Sequence, residues 1–406
     1  MRKVKLTDLA IIVVILNCLG FPGNYENIFG TVFGTFVDYF CFAIELVLMF
    51  RTLYSRHFRI YKKYWPVFLF IAVITCESLM VTNYMTLQMI SCIRLAVTVC
   101  FGMWLAACYE IEDVLNLCFK SQVVFLILTM VYMLLDRNGA FQDTTVVLHA
   151  FTGLYTTKNA CASELYFGFI MSFLLAESNK GKKALRLNVW GILILQAVLL
   201  VMCLATGPLL YCVVTVLALL FLSKRRFNLS VVFWAISIGF LIITMAGLPA
   251  LSFILNALGK DVTLTGRTDM WEQVFSVITS THTFTGFGYA MFWRDPEAYS
   301  LIHAGFGTYT FLGNATSGAH NMILDFWLNA GLFGLWVLAV LIFACTRKQK
   351  AMRDDQYKFI FATILILAFH GLTERSFDPS NYMTLFLFIS LGFGLRKYDQ
   401  NIDRYI

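Results

Sequence analysis

The feature that most constrains this chain is a succession of apolar blocks, many of them near 20 residues long, separated by short polar joints. Blocks of that length match the hydrocarbon core of a bilayer, which is roughly 30 Å thick. Backbone groups in lipid must pair within their own segment, so each block is predicted to be a helix. The chain is 59% hydrophobic and 14% charged, whereas soluble domains are roughly 45–50% apolar and about 25% charged. The sequence therefore predicts an all-α, polytopic integral membrane protein.

The apolar blocks predict twelve transmembrane helices in a single polytopic domain over 1–406. The predicted spans are 6–21, 31–50, 65–82, 87–109, 114–135, 160–177, 187–205, 208–222, 229–247, 321–345, 358–374 and 382–396. We expect the first to be retained as a helix, because no small-residue cleavage site follows it. The eleven cysteines lie in or beside these blocks without CxxC spacing, which predicts small buried hydrophobic residues.

Basic residues alternate along the joints between the spans. With the N-terminus inside, 24 of the 31 Lys and Arg residues fall in joints on one side or at the two termini. Cytoplasmic loops are enriched in Lys and Arg, so both termini are predicted to be cytoplasmic. The net charge of +7 then reflects topology, and it does not indicate nucleic-acid binding. The two longest joints, 136–159 and 248–320, are predicted to lie outside the cell.

The 248–320 joint is long enough to fold, and long connections of this kind are usually functional. Apolar residues recur in it at helical spacing behind Thr268, a predicted N-cap. They are Met270, Trp271, Val274, Phe275 and Ile278. Two interpretations are equally compatible with this pattern: an amphipathic helix on the outer membrane surface, or a short helix packed on the bundle.

Three short motifs in or beside this joint bear on chemistry. Arg267 opens the predicted helix, where a guanidinium and free N–H groups can bind one anion, although a lone loop Arg is more often a solvated charge. Gly286-Phe287-Gly288 permits a tight turn or a close backbone approach. His320-Asn321 begins the tenth span, which contains Gly331 and Gly334 and is predicted to pack tightly on a neighbour. The imidazole is either an interfacial boundary residue or a base for a sugar hydroxyl.

Several ionisable residues fall in the outer parts of spans, where they are costly and face a cavity or each other. For Arg94, a structural pair with Glu77 and a substrate contact are both open, and Glu164 is a further buried carboxyl group. Outer span ends also hold polar pairs, which are Lys158-Asn159 and Glu374-Arg375. These groups are predicted to surround one outward-facing cavity. The outer loops contain no DxD motif, and the chain has no P-loop, GxSxG or zinc motif, so neither a metal nor a cofactor is predicted.

The order of the three motifs resembles the O-antigen ligase and polysaccharide polymerase (Wzy-type) family of membrane glycosyltransferases. The pattern is G-R-x-x-x-W, G-x-G and H-N, here Gly266-Arg267 to Trp271, Gly286-Phe287-Gly288 and His320-Asn321. The resemblance is firmest over 260–335 and extends to Lys158-Asn159 and Thr373-Glu374. It implies a GT-C-like fold with the active site in the 248–320 loop.

One departure from the family pattern affects the substrate-binding residues. The chain has Thr206-Gly207-Pro208 where members often carry an S-R-G-like turn, so a second phosphate-binding Arg is missing there. Its role is either absent or supplied by Lys158, Arg94 or Arg375.

The resemblance implies a polymerase that transfers oligosaccharide from a polyprenyl diphosphate to an acceptor hydroxyl at the outer face of the bacterial inner membrane. His320 and Arg267 are the predicted catalytic residues, and metal independence is expected. The predicted substrate-binding residues are Lys158, Asn159, Arg94, Asn321, Glu374 and Arg375. The expected partners are the polyprenyl-diphosphate-linked oligosaccharide, the lipid bilayer, a chain-length regulator and a flippase.

Two other functions are compatible with the same motifs or composition. A ligase would transfer a finished chain to a lipid A core or another acceptor, and the motifs do not separate it from a polymerase. A flippase or secondary transporter also has many spans and intramembrane charges. The halves of this chain show no convincing internal symmetry, and the long asymmetric outer loop favours an enzyme.

Overall fold

A computed structural model describes residues 5–20, 31–55, 64–81, 84–143, 149–178, 183–245, 267–303, 318–374, 377–378 and 381–396. Fourteen α-helices lie within these ranges. They are α1 (Leu6–Cys18), α2 (Thr31–Ser55), α3 (Trp65–Val81), α4 (Met85–Cys108), α5 (Ile111–Leu135), α6 (Lys158–Ser178), α7 (Lys183–Met202), α8 (Thr206–Phe221), α9 (Leu229–Met245), α10 (Arg267–Ser280), α11 (Pro296–His303), α12 (Met322–Thr346), α13 (Asp354–His370) and α14 (Tyr382–Leu395). Twelve of them coincide with the twelve predicted spans, and α10 and α11 belong to the long outer joint.

The helices confirm the predicted fold class. By length and composition, α2, α4, α5, α6 and α12 are each able to cross a membrane. Further apolar helices are shorter, namely α1, α3, α7, α8, α9 and α14. In the described ranges the strands are confined to β1 (Phe141–Gln142) and β2 (Ala150–Phe151), which pair antiparallel in the 136–159 joint. The chain is thus an all-α polytopic membrane protein with a small hairpin in one joint.

The interior of the bundle lies around α14. Every residue of α14 is buried, and the helix packs against α4, α12 and α13. By contrast, Val32, Phe36 and Val47 on α2 are largely exposed. A helix that is apolar all round belongs in a core or in lipid, and these two helices occupy the two environments. Burial therefore separates central spans from lipid-facing ones that have similar composition.

Helix α12 is broken at Gly331, where φ is 58° and ψ is −168°. The outer loop docks into the break: the N–H groups of Leu332 and Phe333 donate to the carbonyls of Thr283 and Phe284 at 3.0 and 3.2 Å. A Cβ atom on Gly331 would collide with the Phe284 carbonyl. Broken helices are tolerated at membrane depth where protein satisfies the freed backbone groups. The close packing predicted at Gly331 is confirmed, and its neighbour is the outer loop.

The G-x-G segment is part of the same docking. Gly286 has φ +67°, a region that L side chains rarely adopt. Its Cβ position lies 2.7 Å from the carbonyl of Leu328, and the N–H of Phe287 donates to that carbonyl at 2.7 Å. The close backbone approach predicted for this motif is confirmed. Gly286 seats the loop on α12, whereas Gly288 packs against Gln88 of α4.

The amphipathic segment of the outer loop forms α10, which begins at Arg267. Thr268 lies inside the helix, so its predicted N-cap position is wrong. Four of the five predicted apolar residues are fully buried, namely Met270, Trp271, Val274 and Ile278. They share a core with Leu324 and Leu328 of α12. The sequence left two interpretations open, and the structure favours the second: α10 is a short helix that packs on the bundle.

Two further expectations are adjusted by the structure. All eleven cysteines are free, and eight of them are buried. Cys76 on α3 and Cys100 on α4 are exposed. The prediction that the cysteines act as small buried hydrophobic residues therefore holds for most of them. The eleventh span ends at His370, earlier than the predicted 374. Glu374 consequently lies in the turn that follows α13, outside the helix.

Candidate active site

A single carboxylate, Glu374, joins the two predicted catalytic residues. Its Oε1 accepts a hydrogen bond from Nη2 of Arg267 at 3.2 Å. Its Oε2 lies 3.0 Å from Nδ1 of His320. The side chains of Arg267, His320 and Glu374 are 15%, 27% and 24% exposed, so the group is enclosed yet open to solvent at one side. We call these three residues the Arg–Glu–His cluster.

The turn after α13 and the start of α12 are held together by the backbone. The N–H of Met322 donates to the carbonyl of Gly371 at 2.8 Å. The side-chain amide of Asn321 donates to the carbonyl of Leu372 at 3.4 Å. These bonds bring Glu374 to His320 across 54 residues of sequence. Glu374, predicted as a substrate-binding residue, is therefore placed where it contacts both predicted catalytic residues.

The backbone before His320 is clamped on both sides. The indole N–H of Trp271 donates to the carbonyl of Ala319 at 2.8 Å, and the N–H of Ala319 donates to Oδ1 of Asp325 at 2.8 Å. His320 itself has φ +48°, a conformation that costs a non-glycine residue about 1–3 kcal/mol. The clamp offsets that cost and fixes the direction of the imidazole. The Trp of the G-R-x-x-x-W motif thus supports the His of the H-N motif.

Asn321 caps α12. Its side-chain oxygen accepts from the N–H groups of Ile323 and Leu324 at 3.0 and 3.2 Å, and the residue is 1% exposed. An Asn N-cap satisfies donors that have no partner inside the helix. The structure therefore assigns Asn321 to the helix start, whereas the sequence predicted a substrate contact.

The protonation state of Glu374 determines which nitrogen of His320 is available. Burial opposes ionisation, but the hydrogen bond from His320 and the charge of Arg267 outweigh it and hold the pKa of Glu374 below its ordinary value of 4.5. The group is thus a carboxylate at neutral pH and can only accept hydrogen bonds. Nδ1 of neutral His320 must then carry the proton, which leaves Nε2 as the basic atom.

Lys158 lies at the turn where the family's second Arg is missing. Its Nζ donates to the carbonyl of Leu204 at 3.3 Å, and Leu204 directly precedes the N-cap of α8. Asn159 follows in the first turn of α6 and is partly buried. Of the two proposed replacements that the structure describes, Lys158 and Arg94, Lys158 is the one at this turn. Arg375 lies outside the described residues.

Arg94 belongs to a different group of side chains. Its Nη2 contacts Oδ2 of Asp38 on α2, and its guanidinium lies 5.5 Å from the ring centre of Tyr39. Oδ1 of Asp38 also accepts from Asn17 at 3.2 Å. The pair with Glu77 considered from the sequence is wrong, because α2 supplies the acidic partner for Arg94. The Arg–Glu–His cluster includes neither this pair nor the buried Glu164. The single outward-facing cavity predicted around all the charged groups stays a prediction.

Two residues at the site were missed by sequence reasoning. Tyr211 on α8 forms a hydrogen bond with Thr373 and interacts electrostatically with Arg267 and Glu374. Its ring stacks on that of Phe369, with 5.6 Å between the ring centres. Asp325, which anchors Ala319, also accepts from the indole of Trp293 at 2.9 Å. An acidic residue in the first turn of an apolar span was the available signal for Asp325. For Tyr211 the signal was its position one turn beyond Gly207.

Comparison with known proteins gives two matches. The profile of a family described as O-Antigen ligase (Wzy_C) matches residues 191–339, which include Arg267 and His320. The exopolysaccharide production protein ExoQ of Rhizobium meliloti (strain 1021) is 25% identical over 264 residues. That alignment covers 60% of this chain and 58% of the relative, so the chain spans somewhat more than half the length of that protein. The matched domain and the relative agree with the motifs, and both support a resemblance of this chain to an O-antigen ligase/polymerase-like family.

Proposed function

We propose that the protein is a polysaccharide polymerase that transfers oligosaccharide from a polyprenyl diphosphate to a sugar hydroxyl. The observation that carries the proposal is the Arg–Glu–His cluster, which places a fixed cation and a basic imidazole on the two oxygens of one carboxylate. A glycosyl transfer from a diphosphate requires both: positive charge for the leaving group and a base for the acceptor. The relative's printed role in exopolysaccharide production is compatible with a polymer product.

The reaction can be written with each group in a stated role. The acceptor hydroxyl oxygen attacks the anomeric carbon, and the bond from that carbon to the diphosphate oxygen breaks. The bonding electron pair leaves with the diphosphate, whose negative charge Arg267 stabilises. The hydroxyl proton passes to Nε2 of His320, while Nδ1–H remains directed at Glu374. Glu374 then stabilises the imidazolium, as a carboxylate does in other His-based sites.

Fixed cations make metal independence part of this proposal. Arg267 lies at the N-terminal end of α10 as far as the helix is described, and its guanidinium supplies the first cation. Lys158 supplies a second cation near the turn before α8. The charge balance of the reaction is met by the protein's own cations.

Reconstitution tests the proposal directly. Purified protein in liposomes is supplied with polyprenyl-diphosphate oligosaccharide from the host, and products are analysed by mass spectrometry. We expect chains that grow by whole repeat units in wild type, and none in Arg267→Ala or His320→Ala protein of equal abundance. Wild-type polymer from both variants would overturn the assignment. Movement of lipid-linked sugar between leaflets without a new glycosidic bond would indicate a transporter.

The ligase function is a second candidate, because the matched family is described as O-Antigen ligase. Gel analysis of a deletion strain distinguishes the two. Loss of a polymerase leaves single repeat units on the acceptor, whereas loss of a ligase leaves long chains on the carrier lipid. We expect the first pattern, with restoration by the wild-type chain.

The proposed location is the bacterial inner membrane, with both termini in the cytoplasm and the cluster outside. Its support is the distribution of Lys and Arg among the joints. Reporter proteins are fused to the chain after residue 226 and after residue 396. We expect activity from a reporter that works only in the cytoplasm and none from a reporter that works only in the periplasm. Periplasmic reporter activity at either site would contradict this orientation.

A further inference from the structure

The 136–159 joint contains a cavity of about 350 Å³ that the proposed reaction does not use. It lies between the end of α5, the β1–β2 hairpin and the segment that leads to α6. Side chains that line it include Tyr132, Asn138, Phe141, Gln142, Asp143 and Tyr155. We call it the loop cleft. Pockets for small ligands span roughly 300–1,000 Å³, so the cleft has room for a short ligand segment.

The walls of the loop cleft are held in place by the joint itself. The N–H groups of Thr152 and Gly153 both donate to the carbonyl of Ala140 at 3.0 and 3.2 Å. The rings of Phe141 and Phe151 pack edge to face at 5.5 Å. The hydroxyl of Tyr155 donates to the carbonyl of Leu19, at the outer end of α1, at 2.6 Å. The cleft is therefore a built feature anchored to the bundle.

The chemistry of the lining selects among ligand classes. Aromatic rings offer apolar faces to the C–H side of a sugar ring. The amides of Asn138 and Gln142 offer both donors and acceptors, which is what adjacent sugar hydroxyls require. None of the lining residues is Lys or Arg, and Asp143 adds a carboxyl group, so a phosphate or an acidic sugar is disfavoured. An acyl chain would place hydrocarbon against these amide and carboxyl groups and could form no hydrogen bond with them. A neutral saccharide can contact the aromatic faces and hydrogen-bond the amide groups of the lining.

A series of contacts connects the loop cleft to the Arg–Glu–His cluster. Thr156 lines the cleft, and Lys158, two residues further on, reaches the carbonyl of Leu204. Leu204 leads into α8, where Tyr211 bonds Thr373 beside Glu374. The cleft and the cluster are therefore linked through the start of α6 and through α8. We infer that a chain whose reacting end is at the cluster extends towards the cleft.

We propose that the loop cleft is a saccharide subsite that binds neutral sugar residues away from the reacting bond. This inference rests on the proposed function for its connection to catalysis. It predicts that oligosaccharides long enough to reach the cleft bind more tightly than those that occupy the cluster alone. The cleft thereby contributes to the length of the polymer made.

Binding without turnover tests the subsite. The probe is the neutral repeat-unit oligosaccharide released by mild acid from the host's lipid-linked precursor, and the protein is the full chain in nanodiscs. Saturation-transfer NMR compares wild type with Tyr132→Ala and with Asn138→Ala. We expect affinity to fall about two- to tenfold for Tyr132→Ala, the range for loss of an aromatic contact, and Tyr132→Phe to recover it. The matched control is Arg137→Ala, which changes the same turn outside the lining.

The outcomes separate the subsite from the catalytic proposal. Binding that is lost in the cleft variants, from protein that performs no transfer, supports the subsite and overturns the proposed function. Transfer by wild type with unchanged affinity in both cleft variants overturns the subsite. Absence of probe binding to wild type also overturns it. Because Asn138 is exposed, Asn138→Ala keeps the test valid if Tyr132→Ala protein is unstable.

Discussion

Two arginine–carboxylate pairs of this protein are similarly enclosed and differ in the other contacts of the carboxylate. Arg267 contacts Glu374 at the outer ends of α10 and α13, and the same carboxylate contacts His320. Arg94 contacts Asp38 between α2 and α4, with Tyr39 and Asn17 around it. Both arginines are similarly enclosed, at 15% and 20% exposure. Burial and ion pairing are therefore shared by the two sites.

The difference is what each carboxylate does with its second oxygen. Glu374 directs it to an imidazole that can exchange a proton, whereas Asp38 directs it to the amide of Asn17, which cannot. The first arrangement couples charge to proton transfer. The second joins three helices, α1, α2 and α4. Of these two ion pairs, the one that a titratable imidazole shares is therefore the candidate catalytic site.

The largest expected difference between the two sites is in the rate of transfer. Removing a base or a charge-stabilising donor typically costs about 10²–10⁴-fold, so His320→Ala and Arg267→Ala should lose activity on that scale. Arg94→Ala should lower thermal stability and leave the rate per folded protein near wild type. The measurement is single-turnover transfer in liposomes, normalised to folded protein. An equal loss of rate in Arg94→Ala would remove the distinction.

Glu374→Gln should have the next largest effect, because it keeps the shape of the side chain and removes its charge. A hydrogen bond to a charged group contributes about 1.5–3 kcal/mol, so transfer should slow roughly 10- to 150-fold. The low pKa of Glu374 also stabilises the fold above pH 4.5, and this contribution is lost as the pH falls through the folded-state pKa. The melting temperature of wild type should therefore fall below pH 4.5 more steeply than that of Glu374→Gln. Parallel curves would contradict the role of the carboxylate.

Asn321→Ala separates support of the site from contact with substrate. Loss of an Asn cap costs about 0.5–2 kcal/mol, which should appear as a lower melting temperature, and Asn321→Asp should restore it. We expect the donor KM to stay near wild type in both variants. A raised KM with unchanged stability would instead favour the substrate contact predicted from the sequence.

Chelation should have the smallest effect. If Arg267 supplies the charge that a divalent ion supplies elsewhere, EDTA should leave the transfer rate unchanged. Arg267→Lys should still be impaired, because an ammonium loses the planar two-point contact with a phosphate. Loss of turnover in EDTA with recovery on adding Mg²⁺ or Mn²⁺ would refute the fixed-cation account.

The sequence predicted those features that depend on length and local pattern. The twelve spans, Arg267 at a helix start and the close approach at Gly286 each follow from a short stretch of chain. The partner of Arg94 could not be predicted in this way. Several acidic residues lie in spans, and only the packing of the helices selects Asp38. Glu374 was found by resemblance, yet its contact with His320 depends on the turn at Gly371, which no local pattern encodes. The cap at Asn321 was predictable from its position before an apolar helix.

A double-mutant cycle of His320 and Glu374 tests the central claim that they act as one catalytic unit. The transfer rate is measured for His320→Ala, Glu374→Gln and the double variant under single-turnover conditions. Residues that act as a unit are strongly non-additive. The double variant is expected to be no slower than His320→Ala alone, since Glu374 acts through the imidazole. Losses that multiply, so that each substitution has its full effect in the absence of the other, would contradict it.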